Sequence, residues 1–152
     1  MRNNTIVDKL RRSLECVKNE AGQTLPFVYE DKDIQNILTQ KLPAPLVLCV
    51  PIVSSAVTSA NGLVHERITL AVWFADNMLQ GNNDFCAVEN ERIIDDCKQR
   101  AFKWVASLTP ANELKLISIN GAERAYLEMD DNLTGYMLNV TLEEMQGYGC
   151  RA

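Results

Sequence analysis

The stretch 64–76, VHERITLAVWFAD, constrains the fold of this chain more than any other. Large apolar residues stand at every second position, namely Ile68, Leu70, Val72 and Phe74. Because successive side chains of a β-strand point to opposite faces, this alternation predicts a strand with one face in a hydrophobic core. The fold therefore needs a sheet, and the apolar faces of other elements must cover it.

Two stretches show helical periodicity over many residues and predict the main helices. Apolar residues recur on one face of 5–20, which opens with a Thr5–Asp8 capping-box pattern and is expected to stop at Gly22. The stretch 88–108 carries a long apolar stripe and predicts the longest helix.

A shorter helix is predicted at 31–42, because the helical pattern there is followed by Pro43. Ile34, Ile37 and Leu38 fall on one side of this helix and are expected to pack against the rest of the domain.

Further strands are predicted at 25–30, 45–52, 113–119, 123–129 and 135–144. Asn-Gly pairs at 61–62 and 120–121 fit tight turns, and the second pair would close a hairpin between 113–119 and 123–129. The small, polar stretch 53–63 and the stretch 77–86 are predicted to be loops. Strands joined by hairpins form an antiparallel sheet.

Together these elements predict one α+β domain that spans residues 1–152. We expect a mostly antiparallel sheet of about five to six strands, with two main helices packed on one face. The end of the chain, 144–152, is expected to be a loose tail because it holds two glycines.

Charge and composition argue against several classes of function. A net charge of −5 and a pI near 4.9 do not suit a nucleic-acid-binding protein, which needs a basic surface. No apolar run approaches the roughly 20 residues that cross a bilayer, and the charged N-terminal stretch is not a secretory signal. We therefore expect the five cysteines to be free thiols in a reducing cytoplasm.

The stretch DDNLTG, 130–135, resembles the first half of a calcium-binding loop. Asp130, Asn132, Thr134 and Gly135 occupy loop positions that supply calcium ligands or the central glycine. The bidentate glutamate that should close the loop is replaced by Thr141. The sequence therefore predicts a turn between strands and no metal site.

Cysteine–histidine chemistry would have to use His65, because it is the only histidine. Cys49 is its nearest candidate partner, on the adjacent predicted strand, but its apolar surroundings are expected to keep the thiol protonated and inert. A small cytosolic enzyme that uses Cys49 and His65 is an alternative function. The sequence has no phosphate-binding motif, and we expect no cofactor.

Trp73 lies on the face of its predicted strand opposite Ile68 and Phe74, together with Thr69 and Ala71. If helices cover only the Phe74 face, this second face is partly bare. Exposed tryptophans are frequent anchors of protein interfaces. Trp73, Thr69 and Ala71 are therefore predicted to form an interface with another protein.

Three parts of the chain together resemble a known family. The first is an N-terminal helix followed by FVYEDKDIQNIL and LPAPLVLCVPI, and the second is ITLAVWFAD followed by the helix ENERIIDDCKQRAFKWVASL. The third is the closing segment DDNLTGYMLNVTLEE. Over roughly residues 5–144 the chain is similar to small phage and prophage structural proteins, the tail-completion or tail-terminator-like proteins encoded between head and tail genes.

The resemblance implies a sheet backed by two helices, without a catalytic centre or a cofactor. It implies subunits that assemble into a ring, often a hexamer, which stops growth of the tail tube and docks the tail to the head connector. The expected partners are tail-tube and connector proteins, and the expected location is the virion, after assembly in the bacterial cytoplasm. A monomeric protein-binding module is a further alternative.

Overall fold

A computed structural model describes residues 5–77, 87–108, 113–128 and 133–145. In chain order its elements are α1 (Ile6–Ser13), a short 3-10 helix (Leu14–Cys16), β1 (Phe27–Tyr29), α2 (Lys32–Thr39), β2 (Leu46–Cys49), β3 (Ser54–Ala60), β4 (Leu63–Asn77), α3 (Ala87–Ser107), β5 (Leu114–Glu128) and β6 (Leu133–Glu144). The predicted α+β class is confirmed.

The six strands form one sheet in the order β1-β2-β4-β6-β5, and β3 pairs with β4. Only β1 and β2 run parallel, and every other pair is antiparallel. Strand β6 takes one edge of β4 from Arg67 to Asn77, whereas β2 and β3 share the other edge. The mostly antiparallel sheet is therefore confirmed, with β4 at its centre.

The main core lies between the sheet and the two helices α1 and α3, as predicted. The alternating apolar residues of β4 pack there against Leu10 of α1 and Trp104 of α3. The rings of Phe74 and Trp104 lie 5.9 Å apart between centroids, and Trp104 Nε1 donates a 2.9 Å hydrogen bond to Ser13 Oγ. These contacts fix both helices on the Phe74 face.

Helix α2 packs on the opposite face of the sheet. There Leu38 and Leu42 contact a second apolar cluster that includes Leu48 and Trp73. The expected apolar side of α2 is wrong in part, because Ile34 and Ile37 are exposed. Gln35 is buried instead, and its Nε2 donates a 2.8 Å hydrogen bond to the main-chain oxygen of Glu30. This bond lets a polar residue face the sheet.

The first helix is shorter than predicted. The Thr5–Asp8 capping box is present, but the α-helix ends at Ser13 rather than at residue 20. The chain then folds back, with a bridge between Lys18 and Thr24 and with Gly22 at a φ of 78°. This reversal buries Val17 and Leu25 in the main core, which a continued helix would not allow.

The predicted hairpin at Asn120-Gly121 is wrong, because β5 is one continuous strand. It pairs with β6 along its length. At the Asn-Gly pair the register of the two strands shifts, between Ile119 and Gly121. The type I′ hairpin turn, which Asn-Gly pairs favour, needs a positive φ at both central residues. Asn61 and Gly62 have it, at 55° and 78°, whereas Gly121 does not.

Further boundaries differ from expectation, and α2 and β2 end earlier than predicted, at Thr39 and Cys49. Residues 54–60 form β3 rather than a loop. Pairing with β4 stabilises the extended backbone, although the mostly small side chains of this segment bury little apolar surface. Strand β6 begins at Leu133 rather than at 135. Glu144 ends that strand and is buried, so residue 144 is not part of a loose tail; residues 146–152, like 78–86, lie outside the described residues.

We expect Gly135→Ala to lower the free energy of unfolding by about 1–3 kcal/mol, because of overpacking. A Cβ at Gly135 would lie 2.8 Å from Cα of Ala75 and would clash with the main-chain oxygen of Phe74. Urea unfolding measures the change.

Gly121→Ala is the matched control on the neighbouring strand, because no atom lies within 4 Å of the added carbon. We expect it to change the free energy of unfolding by less than about 0.5 kcal/mol. Equal effects of the two substitutions would show that the close approach at Gly135 is wrong.

Candidate functional site

A cleft of about 630 Å³ opens on the α2 side of the sheet, and we call it the Trp73 cleft. Its walls come from α2 and from the four strands β2, β4, β6 and β5. The lining residues are Lys32, Asp33, Gln35, Asn36, Leu48, Val50, Ala71, Trp73, Glu123, Arg124, Ala125 and Met137.

Strand pairing sets the floor of the cleft. Leu48 lies opposite Trp73, Trp73 opposite Met137, and Met137 opposite Glu123, so these four residues form one row across four strands. Residues opposite one another in a sheet point to the same face. Ala71 lines the cleft two positions from Trp73, where its small side chain leaves space open.

The predicted interface residues are only partly brought together. Ala71 and Trp73 both line the Trp73 cleft, but Thr69 lies outside its lining, where its Oγ1 hydrogen-bonds Thr141 Oγ1 at 3.1 Å. Trp73 is only 6% exposed, which corrects the expectation of a bare tryptophan. The cause is the second apolar cluster, to which Trp73 belongs and against which Leu38, Ala125 and Met137 pack. An interface role for these residues stays a prediction.

The indole N–H of Trp73 is buried, and it has no hydrogen-bond partner among the residues that the structure describes. Buried tryptophan N–H groups usually find an acceptor. Trp104, the other tryptophan, follows that rule through Ser13. The described part of the chain therefore supplies no acceptor for the buried Trp73 N–H.

The charged residues of the cleft lie at its rim. Lys32 and Asp33 occupy the first turn of α2, and Glu123 and Arg124 are neighbours on β5. The Arg124 guanidinium forms an ion pair with Glu91 of α3. The remaining charged side chains are Lys32, Asp33 and Glu123. One cation and two anions do not make a strongly positive site.

The cleft escaped sequence analysis because it depends on where α2 lies. Lys32, Glu123 and Met137 are distant in sequence and carry no common motif. The pairing of Trp73 with Met137 depends on the register between β4 and β6, which no local pattern shows.

The structure does not bring Cys49 and His65 together. Cys49 pairs with Val72, whereas His65 pairs with Thr58. The seven residue steps from His65 to Val72 span about 23 Å of extended strand. His65 Nδ1 lies instead 3.2 Å from the main-chain oxygen of Glu144.

Cys49 is also buried, as predicted, at 1% exposed. It belongs to the main core, on the face covered by α1 and α3. Burial raises the pKa of its thiol to about 12. A thiol with that pKa is almost entirely protonated at neutral pH and is a poor nucleophile.

The proposed turn at 130–135 lies only partly within the described residues, which exclude Asp130 and Asn132. Thr134 Oγ1 is buried and donates a 2.6 Å hydrogen bond to Asn90 Oδ1 of α3. Gly135 and Thr141 belong to β6, and Thr141 Oγ1 also accepts a 2.9 Å hydrogen bond from Asn120. Thr134 thus connects β6 to α3, and Thr141 connects β6 to its neighbouring strands.

Within residues 5–77, 87–108, 113–128 and 133–145, no group of three or more His, Cys, Asp or Glu side chains is arranged to hold a metal ion. No helix in those same ranges is long and apolar enough to cross a membrane.

Comparison with known proteins gave no relative: no protein-family model matches the chain, and no curated protein matches it. The resemblance to phage tail proteins therefore stays a prediction from the sequence.

We expect Cys49 and Cys97 to resist thiol reagents in the native protein, because burial raises the pKa of both thiols to about 12. Cys16 is only half-buried and should react before them. Peptide mass mapping after brief labelling measures the order.

The control is the same labelling in urea, where Cys49 and Cys97 should react as fast as Cys16. A Cys16→Ser variant should lose its labelled peptide and leave Cys49 protected. Fast native labelling of Cys49 would favour the enzyme alternative.

We also expect no calcium binding at 130–135, because Thr141 cannot supply the closing carboxylate. Titration with millimolar calcium should release no heat and leave the melting temperature unchanged. A shift that disappears in Asp130→Ala would contradict this.

Proposed function

We propose that this chain is a structural subunit of a phage or prophage tail, a tail-terminator or tail-completion protein that forms a ring at the head–tail junction. Its expected partners are the tail-tube and head–tail connector proteins, and it acts in the virion after assembly in the bacterial cytoplasm. Support comes from the resemblance of the sequence and from the α+β architecture with two main helices on one face. The observation that carries the proposal is the free edge of β3.

Part of β4 extends beyond the body of the sheet. Residues 63–66 pair with β3 alone, because pairing with β6 begins only at Arg67. With the turn at 61–62 they form a two-stranded projection, which we call the β3–β4 arm and which spans residues 57–66. Its apolar residues are solvent-exposed, with Val57 at 70%. A projection of this kind suits contact with a neighbouring subunit.

The base of the β3–β4 arm is held to the end of β6. Arg67 Nε donates a 2.8 Å hydrogen bond to Glu143 Oε1, and this bond lowers the pKa of the Glu143 carboxyl. The neighbouring contact between His65 and the main-chain oxygen of Glu144 spans 3.2 Å. These contacts fix the direction in which the arm leaves the sheet.

The outer edge of β3 lacks the features that usually protect an edge strand. Its sequence, SSAVTSA, has no charge and no proline, and its register with β4 has no shift. No strand in the described part of the chain pairs with that edge. Such an edge is open to pairing with another chain.

Strand β5, at the far end of the sheet, is protected by comparison. It has three register shifts against β6, and Lys115, Glu123 and Arg124 place charges along it. Bulges and charges are the common ways in which proteins prevent edge-to-edge association. The contrast favours β3 as the edge that meets a second copy of the chain.

A contact between the β3 edge of one subunit and a different surface of the next would be head-to-tail. Contacts of that type close into a ring when the rotation between subunits allows it. Thr69 lies opposite Ser54 at the start of β3, so one of the three predicted interface residues lies beside this strand. The enzyme alternative has no such support, because Cys49 and His65 are far apart in the sheet.

A proline at position 57 tests the edge directly. The two-residue turn at 61–62 makes Ala60 and Leu63 a hydrogen-bonded pair, and bonded pairs then alternate along the arm. Thr58 is therefore bonded to His65, whereas the Val57 N–H points outward. We expect Val57→Pro to keep the fold and to abolish assembly, because it removes the outward donor.

Light scattering over a concentration series, with and without the cognate tail-tube protein, measures assembly, and electron microscopy shows whether rings cap the tubes. Val57→Thr is the matched control, because it keeps the N–H and should assemble like the wild type. Rings formed by Val57→Pro would rule out the β3 edge.

A wild-type protein that stays monomeric with tail tubes and never caps them would contradict the terminator role and favour a monomeric binding module. Genes for portal, tail-tube and tape-measure proteins next to this one would support the class independently.

A further inference from the structure

The outer edge of β3 has a symmetric pattern. Hydrogen-bonded pairs with β4 alternate along the strand, so the backbone N–H and C=O groups of Ser55, Val57 and Ser59 point away from β4. Val57 is the middle residue of the strand Ser54–Ala60, and a serine lies two positions to either side of it. The outward residues therefore have the same order, serine-valine-serine, when the strand is read in either direction.

An edge with this symmetry complements a second copy of itself in antiparallel pairing. When Val57 of one copy lies opposite Val57 of the other, Ser55 of each copy lies opposite Ser59 of its partner. Each of these pairs exchanges two backbone hydrogen bonds, because the groups involved all point outward. A shift of two residues would place one outward residue of each copy opposite a residue beyond the ends of β3. The register centred on Val57 therefore satisfies the most groups.

The side chains favour the same register. Val57 lies opposite Glu66 and Ser59 lies opposite Val64, so the two valines are on one face, where they are 70% and 41% exposed. Pairing at Val57 brings the Val57 side chains of two copies side by side, with Val64 of each copy next in the row. The hydroxyls of Ser55 and Ser59 from opposite copies are also neighbours, and cross-strand hydroxyl pairs stabilise a sheet.

Charged side chains do not oppose this pairing. Strand β3 carries no charge, and the nearest charged residue of β4 on the Val57 face is Glu66. Three strand spacings, about 14 Å, would separate the Glu66 residues of the two copies. Like charges destabilise a sheet when they lie directly opposite one another, and here two β3 strands lie between them.

We propose that free subunits pair through their β3 edges, antiparallel and about a two-fold axis at Val57, and that this pair keeps the edge closed until a tail receives the ring. A two-fold contact uses the same patch on both copies and stops at the dimer. The ring contact needs the same edge, so a paired subunit must separate before it enters a ring. This role rests on the proposed function, whereas the pairing itself needs only the β3 edge.

Cysteine cross-linking of the isolated protein tests the pairing. In the dimer the Cα atoms of position 57 are about 5.5 Å apart, which suits a disulfide, whereas those of position 59 are about 14 Å apart and cannot be bridged. Under mild oxidation we expect Val57→Cys to form a cross-linked dimer and Ser59→Cys to stay at the wild-type level. A mixture of Ser55→Cys and Ser59→Cys should cross-link between the two variants. Peptide mass mapping identifies the thiols that are joined.

Tail tubes then test the role of the dimer. Reduced Val57→Cys keeps its backbone N–H and should cap tubes like the wild type. The cross-linked dimer of the same variant should leave the tubes open, because both edges are closed, and a reductant should restore capping. Electron microscopy measures the fraction of capped tubes.

Absence of the cross-link at position 57 would overturn the pairing, and capped tubes in the same preparation would leave the ring proposal standing. Ser59→Cys that cross-links to itself as fast as Val57→Cys would overturn the antiparallel register, since parallel strands in register bring every position next to its copy. Capping by the cross-linked dimer would overturn its role as a closed form. A wild type that never caps tubes, although Val57→Cys cross-links, would contradict the ring proposal and leave the pairing intact.

Discussion

Strand β4 is held along both edges, by β6 on one side and by β2 and β3 on the other. Its eleven paired positions with β6 put Ile68, Leu70, Val72 and Phe74 in the main core and Trp73 on the opposite face. A slip of one residue would exchange the two faces and bury the wrong set. The core, the cleft and the arm all depend on this register.

One close approach helps to fix that register. Gly135 lies opposite Ala75, where the two backbones come too near for any side chain at position 135. Nearby, the buried hydrogen bond between Thr134 and Asn90 ties the start of β6 to α3. At the other end of β6, the buried ion pair between Lys9 and Glu144 ties the strand to α1. Removing one partner of a buried ion pair leaves the other charge buried and unpaired, which is strongly destabilising. The two contacts together fix α1 and α3 to the same strand, β6.

The sequence identifies features that depend on neighbours in the chain. The alternation in β4, the stripe of α3 and the Thr5–Asp8 cap are local patterns, and they correctly predict a strand, a helix and the start of a helix. The two Asn-Gly pairs have the same local chemistry, but the pair at 61–62 forms a turn and the pair at 120–121 lies within a strand. The difference comes from β6, which pairs with β5 through residue 121.

The features that sequence patterns miss are set by packing between distant segments. Helix α2 carries apolar residues on more than one side, and its place over the sheet decides that Leu38 is covered while Ile37 is not. The Trp73 cleft follows from that placement. Strand β3 has small residues with weak strand preference, and it forms because β4 offers it a partner.

The uncharged β3 strand belongs to a chain with a net charge of −5. Copies of the chain therefore repel one another at long range, although the edge where they would join carries no charge. Salt weakens that repulsion over about 8 Å at physiological ionic strength, whereas backbone hydrogen bonds at the edge respond little to it. Ionic strength would thus govern how often two copies meet, and the strand edge how long they stay together.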